Sequence, residues 1–248
     1  EGEEECQEWE CNNYDSSLLP NRMEVTKDTV KDLINDYAGE NRLGLMTFND
    51  NQGGKIVKPL STKEDYVLDN GNFTSDTAKT EYKKELRQAV DGLYANGNTP
   101  LAETLFEAGR YFAEESSAFN YGTYNNDDYD PIKYRCRENY IVLLSDGQPT
   151  LDNYVDEKKI NGKQVSASSD YHDSTYDGDM DNDGYYSDDE EFETYYDLGD
   201  PELQDVSDFL RDNDINSNFS GEYNQTVTTY TIGFSSGVDK AAREILQD

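Results

Sequence analysis

Residues 140–145 read Tyr-Ile-Val-Leu-Leu-Ser, a nearly continuous apolar run that ends at Asp146-Gly147. A strand with one solvated face shows alternating polarity, whereas a continuous apolar run is typical of a strand buried on both faces of a parallel sheet. The β-branched residues from Thr226 to Phe234 predict a second strand. Since parallel strands need crossover connections, helices are expected between them.

Apolar residues recur at helical spacing between these strands. A hairpin is also expected, from 42–48 and 55–60, around the turn 49–54. The predicted helices are 22–37, with Gly39 as its stop; a second through Tyr82–Leu93, ending near Asn96-Gly97; a third through Leu101–Phe112, opened by Thr99-Pro100 with Thr99 as a candidate N-cap; a fourth through Leu203, Val206, Phe209 and Leu210; and the start of a fifth at Ala241–Leu246.

Strands that alternate with helices predict an α/β fold, a doubly wound, mostly parallel sheet with helices on both faces. A chain of 248 residues suits a single domain over 1–248. Residues 151–200 are predicted to form an acidic insertion in that domain. In such sheets ligands bind at the carboxyl ends of the strands, where Asp146 lies.

The insertion carries residues with the spacing of a twelve-residue calcium loop. Gly184 permits the sharp turn at the sixth position. The loop lacks flanking amphipathic helices, so the pattern indicates an insertion that calcium holds in an ordered conformation, and not a calcium sensor. The alternative is an acidic insertion without a fixed fold. The six predicted ligands are Asp179, Asp181, Asp183, the carbonyl of Tyr185, Ser187 and, with two oxygens, Glu190.

The charge balance restricts the partners. A formal net charge of −33, from 54 acidic and 21 basic residues, disfavours nucleic acids and anionic lipid surfaces and favours cations or a basic partner. No run of eighteen apolar residues is present, so no membrane span is expected in the chain.

The three cysteines suit an exported protein with a disulfide. Cys6 or Cys11 is expected to pair with Cys136, or Cys6 and Cys11 with each other, and the sequence does not choose among these pairings. One histidine, His172, and three scattered cysteines do not form the close ligand pairs of a structural zinc site. A hydrolase is disfavoured because neither a Gly-x-Ser-x-Gly elbow nor a phosphate-binding glycine loop occurs. We therefore expect a protein that is not an enzyme.

Three segments, in this order along the chain, resemble a von Willebrand factor A domain. Thr99 and Asp146 match the second and third loops of that family's metal-ion-dependent adhesion site. The resemblance is closer to the N-terminal domain of PilY-type proteins of type IV pilus tips. The segments are Gly97-Asn98-Thr99-Pro100-Leu101-Ala102-Glu103-Thr104-Leu105, residues 136–150 with Leu143-Leu144-Ser145-Asp146-Gly147, and residues 226–234.

The resemblance implies an extracellular adhesion or interaction domain at the pilus tip or cell surface, or associated with the outer membrane, that supports pilus biogenesis and surface attachment. It implies Mg²⁺ or Mn²⁺ at Thr99 and Asp146, with pilins, other tip proteins, or a host or surface ligand presenting a carboxylate as partners. The alternative is a structural subunit of an extracellular filament or surface layer in which calcium only stabilises the fold.

The chain departs from the family in one respect. The family's first strand ends in Asp-x-Ser-x-Ser, which supplies a carboxylate and two hydroxyls to the adhesion site. Here Asp15-Ser16-Ser17-Leu18-Leu19 begins similarly, lacks the second serine and follows no apolar strand. We expect residues before Glu1 to carry the missing strand, which would leave an incomplete adhesion site within this chain.

Overall fold

Helices and strands alternate along the part of the chain that the structure describes. The computed structural model describes residues 21–49, 52–60, 73–120, 131–132, 136–147, 150, 155, 158–165, 202–218 and 223–234. These contain four helices, α1 (Arg22–Tyr37), α2 (Asp76–Asp91), α3 (Leu101–Phe112) and α4 (Glu202–Asp212), and six strands, β1 (Leu45–Phe48), β2 (Gly54–Lys58), β3 (Asn139–Ser145), β4 (Lys159–Ile160), β5 (Lys163–Gln164) and β6 (Val227–Gly233).

The described strands form three two-stranded sheets, β1 with β2, β3 with β6, and β4 with β5. The chain is therefore a mixed α/β protein, and the expected class is confirmed at that level. The predicted hairpin is also confirmed, because β1 and β2 pair antiparallel, with a register shift between Leu45 and Met46.

The parallel pair β3 and β6 carries the strand ends at which a ligand site was expected. The two strands pair over seven residues, from Asn139 opposite Val227 to Ser145 opposite Gly233. Helix α4 lies between them in sequence and contacts β6. This arrangement is a β-α-β unit, the repeating element of parallel sheets.

The two faces of this parallel pair differ in burial. Leu143 is buried on one face, whereas Tyr140 and Val142 of β3, with Tyr230 and Ile232 of β6, are between 42% and 56% exposed on the other. The expectation that β3 is buried on both faces is therefore wrong in the described structure. An apolar run shows that both faces of a strand tolerate burial, but which neighbours cover them depends on the tertiary fold.

Helix α3 lies at the centre of the main core. Every residue of α3 except Arg110 is buried. A Cβ built on Gly109 would come within 2.6 Å of Leu210 Cδ2 on α4 and 2.7 Å of Ile160 Cδ1 on β4. Glycine at this position therefore lets α4 and β4 pack closely against α3.

A second, smaller core lies between α1 and α2. Its buried residues include Ile34, Tyr82, Leu86 and Val90. The Tyr82 hydroxyl also accepts a hydrogen bond from Leu43 N at 2.6 Å, which ties α2 to the segment that enters β1. The predicted bounds of α1 are confirmed at 22–37, and Gly39 follows with a φ of +111°.

The ends of α2 and α3 differ from the prediction. Ser75 caps α2 by accepting from Ala78 N, and α2 ends at Asp91, before Asn96-Gly97. Thr99 does not cap α3, because the N-cap is Pro100 and no side chain accepts a hydrogen bond there. Thr99 is instead hydrogen-bonded to Thr150.

The hairpin formed by β4 and β5 was not predicted from the sequence. Asn161 and Gly162 connect these strands with φ angles of 49° and 73°. Asn-Gly with positive φ at both residues is typical of a tight hairpin turn, so the signal was present. Val155, Ile160 and Val165 belong to the main core. This part of the segment assigned to an acidic insertion is thus a core element.

Replacing Leu143 with Ala should lower the free energy of unfolding by about 2–4 kcal/mol, because the substitution leaves a cavity in the core. Val142→Ala, one residue away on the exposed face, should cost less than about 1 kcal/mol. Urea unfolding of both variants measures the difference. Equal losses would show that both faces of β3 are buried.

Candidate functional site

The loop before α3 and the segment after β3 are joined by two hydrogen bonds between Thr99 and Thr150, one between backbone groups and one to the Thr150 hydroxyl. Thr150 N donates to Thr99 O at 3.0 Å, and Thr99 N donates to Thr150 Oγ1 at 2.8 Å. Asp146 directly follows the last residue of β3. The structure therefore brings the Thr99 loop to the segment that begins with Asp146, at the carboxyl end of the parallel strands.

The turn after β3 is held by hydrogen bonds of Ser145. Its hydroxyl donates to Gly147 O at 2.9 Å, and its carbonyl accepts from Phe234 N at 3.0 Å. The buried Ser145 thus links the ends of β3 and β6. Asp146, the next residue, has a side chain that is 42% exposed.

The Asp146 carboxylate forms an ion pair that the sequence analysis did not predict. Arg22 Nη1 lies 3.1 Å from Asp146 Oδ2, and the Arg22 side chain is 56% exposed. Arg22 is the first residue of α1. The pair therefore places the beginning of α1 beside the carboxyl end of β3.

The donor set has the chemistry of a hard-cation half-site. A threonine hydroxyl and a carboxylate are oxygen ligands of the kind that Mg²⁺ and Mn²⁺ prefer. The guanidinium of Arg22 already provides a positive charge against Asp146 Oδ2. Within the described ranges, no cluster of three or more His, Cys, Asp or Glu could hold a metal ion. A cation held by Thr99 and Asp146 would thus need water or other groups as its remaining ligands.

The six calcium-loop residues between Asp179 and Glu190 lie outside the described residues, so the calcium site stays a prediction. The same holds for Cys6, Cys11 and the fifth helix. Cys136 is an exposed free thiol in the structure. The choice among the disulfide pairings stays a prediction.

Two buried carboxylates on α3 were also missed by the sequence analysis. Glu107 Oε1 accepts from Ser117 Oγ, Ala118 N and Phe119 N at 2.6–2.8 Å. Glu103 Oε2 accepts from Gly53 N at 2.6 Å. Both glutamates are completely buried. Two glutamates within an otherwise apolar helix are the signal that could have identified this polar network.

The groups with shifted pKa values are exposed and lie in surface pairs. A hydrogen bond from Lys31 lowers the pKa of Asp91, and one from Arg211 lowers the pKa of Asp212. A hydrogen bond with the Glu138 carboxylate raises the pKa of Tyr140, because it favours the protonated phenol. Each shift is explained by neighbouring groups on the surface, so none of them indicates an acid–base centre.

Comparisons with known proteins identify no relative. No protein-family model matches the chain, and neither a curated protein nor a solved structure matches it. Among the described helices, none has the length and apolar character to cross a membrane.

Thr150→Val should lower the free energy of unfolding by about 1–2 kcal/mol, because it removes the oxygen that accepts from Thr99 N in a partly buried setting. Thr150→Ser keeps the hydroxyl and is the matched control. Denaturant unfolding measures both. If the serine variant lost as much stability as the valine variant, the Thr150 methyl group and not the hydrogen bond would anchor the loop.

Proposed function

We propose that the chain is a calcium-binding adhesion or interaction domain of the von Willebrand factor A class. It acts outside the cell in a PilY-type protein of the type IV pilus tip, where it supports pilus biogenesis and surface attachment. The observation that carries the proposal is the pairing of Thr99 with Thr150, which joins two loops that resemble the family's adhesion site.

The β-α-β unit supports the proposed doubly wound sheet. Its strands are parallel over their full length, and a helix connects them. The Arg22–Asp146 pair places the beginning of α1 beside the carboxyl end of β3.

In the proposed mechanism Thr99 and Asp146 would hold Mg²⁺ or Mn²⁺ through their side-chain oxygens. When bound, the ion would supply an electrophilic centre for a carboxylate of the partner. The protein positions the two oxygen ligands by the Thr99–Thr150 pair and the Ser145 turn, and no chemistry on the partner is required. Pilins, other tip proteins and carboxylate-bearing surfaces are the proposed partners.

Calcium has a separate role in the proposal. The predicted loop from Asp179 to Glu190 follows β3 in sequence, and Ca²⁺ bound there would neutralise part of the negative charge of that segment. Its function would be to order that segment near the ligand-binding face. This role is structural, so it is tested by stability and not by adhesion.

Replacing Asp146 with Asn should abolish Mn²⁺ binding at the Thr99 loop, because the amide removes the only charge that the half-site supplies from these two side chains. Asp208→Asn is a matched control, since Asp208 is 39% exposed and also pairs with an arginine. Both changes are made in a Glu190→Gln background, and Mn²⁺ binding is measured by calorimetry. Attachment to carboxylate-coated beads, with and without chelator, tests the adhesion step.

Equal Mn²⁺ binding and equal attachment by the Asp146 and Asp208 variants would contradict the adhesion proposal. That result would favour the alternative of a structural subunit in which cations only stabilise the fold.

For the calcium loop, saturating Ca²⁺ should raise the melting temperature by about 5–10 °C at a hundredfold excess over Kd, with Mg²⁺ giving less. Glu190→Gln should remove this shift because it removes the bidentate ligand. Glu191→Gln makes the same charge change at the next residue and should retain it. A shift that survives in Glu190→Gln would contradict the assigned loop register.

A further inference from the structure

We propose that Arg22 competes with the cation for the carboxylate of Asp146. Its guanidinium neutralises the carboxylate when no divalent ion is bound and must leave when one binds. The inference rests on the proposed cation site at Thr99 and Asp146, and it adds the residue that sets the affinity of that site.

Arg22 contacts the Asp146 carboxylate directly. Arg22 Nη1 and Asp146 Oδ2 are 3.1 Å apart, which is hydrogen-bonding distance. A guanidinium carries only donors and no lone pair for a metal, so Arg22 cannot become a ligand of the ion. A divalent ion at this carboxylate would also meet a like charge nearby. The guanidinium and a divalent ion therefore compete for the carboxylate.

Arg22 lies at the N-terminus of α1. The N-terminus of a helix has a partial positive charge, so a cationic side chain in the first turn is electrostatically unfavourable there. Asn21 and Glu24 form a capping box, with Glu24 N donating to Asn21 Oδ1 at 2.9 Å and Asn21 N donating to Glu24 Oε2 at 2.8 Å. The helix end is thus satisfied without Arg22, whose guanidinium forms an ion pair with Asp146.

Both side chains of the Arg22–Asp146 pair are exposed to solvent. The side chains are 56% and 42% exposed, and exposed ion pairs are weak because solvent screens them. The capping box holds the backbone of α1, so only the Arg22 side chain has to move for exchange. A monovalent cation gains little over the guanidinium, whereas a divalent cation gains more from the same carboxylate. Arg22 thus favours divalent over monovalent ions and lowers the affinity for both.

The chain contains a second pair that serves as a control. Arg211 Nη1 lies 2.7 Å from Asp208 Oδ1, with exposures of 56% and 39%. Arg211 is near the end of α4, and the segment after α4 pairs with the residues before β6, since Ile215 N donates to Gln225 O. Arg211 therefore lies toward the opposite end of β6 from Ser145. Removing its charge changes the net charge equally without affecting Asp146.

The experiment is a Mn²⁺ titration of the whole chain followed by paramagnetic broadening of the backbone amide signals of Thr99 and Gly147. All variants carry Glu190→Gln, so that the calcium loop does not compete for the ion. Arg22→Gln should bind Mn²⁺ about two- to fivefold more tightly than the parent at physiological ionic strength. Arg22→Lys and Arg211→Gln should stay near the parent value.

High salt provides a second readout. The gain from Arg22→Gln should shrink at about 1 M NaCl, because the Debye length falls to about 3 Å and surface charges are screened. A gain that did not depend on salt would overturn the electrostatic competition. Melting temperatures of the variants verify that they are folded, and Arg22→Met tests the same charge removal without the Gln amide.

The outcomes separate the two proposals. Unchanged Mn²⁺ affinity in both Arg22→Gln and Arg22→Met, with clear broadening at Thr99 and Gly147, would overturn the competitor and leave the cation site intact. No broadening at these amides in the parent or in any Arg22 variant would overturn the cation site and the competitor together. Broadening that appears only after Arg22 is replaced would support the competitor and show that it blocks the site.

Discussion

The burial of two glutamates on α3 is the constraint on which the rest of the main core depends. A buried carboxylate is costly unless hydrogen bonds compensate for the water it loses. Glu107 receives such bonds from the backbone of residues 118–119, and Glu103 from Gly53 in the hairpin turn. The fold is therefore favourable only when both segments lie against α3. These hydrogen bonds allow α3 to be buried along its length, with only Arg110 partly exposed.

Fixing α3 also fixes the candidate site. The Thr99 loop leads directly into α3, so its position follows from the packing of that helix. The opposite side of the site depends on β3, whose buried Leu143 belongs to the same core. Thr99 and Thr150 then need only two hydrogen bonds to bring the loops together. The two loops of the site are thus held by α3 and β3, which suits the proposed binding of an ion at a defined position.

The sequence predicted the elements whose signals are local. Periodicity gave the bounds of α1, and the β-branched run gave β6, because both patterns record the faces of one element. Features that depend on distant neighbours were missed. The Glu107 network, the capping of α3 and the exposed face of β3 are set by contacts that sequence spacing does not contain. The β4–β5 hairpin is different, since Asn161-Gly162 was a local signal that the acidic composition of the following residues concealed.

The charge balance, as well as the site, favours the proposed cation binding. With 54 acidic and 21 basic residues, at least 33 acidic side chains have no basic residue to pair with one to one. Because basic residues are scarce, the position of each one calls for a structural explanation. Position 22 would favour an acidic residue on helix electrostatics alone, by about 0.3–1 kcal/mol. An arginine there is explained by Asp146, 124 residues away in sequence. The same arginine that stabilises the carboxylate in the absence of an ion must then oppose the ion that the carboxylate would bind.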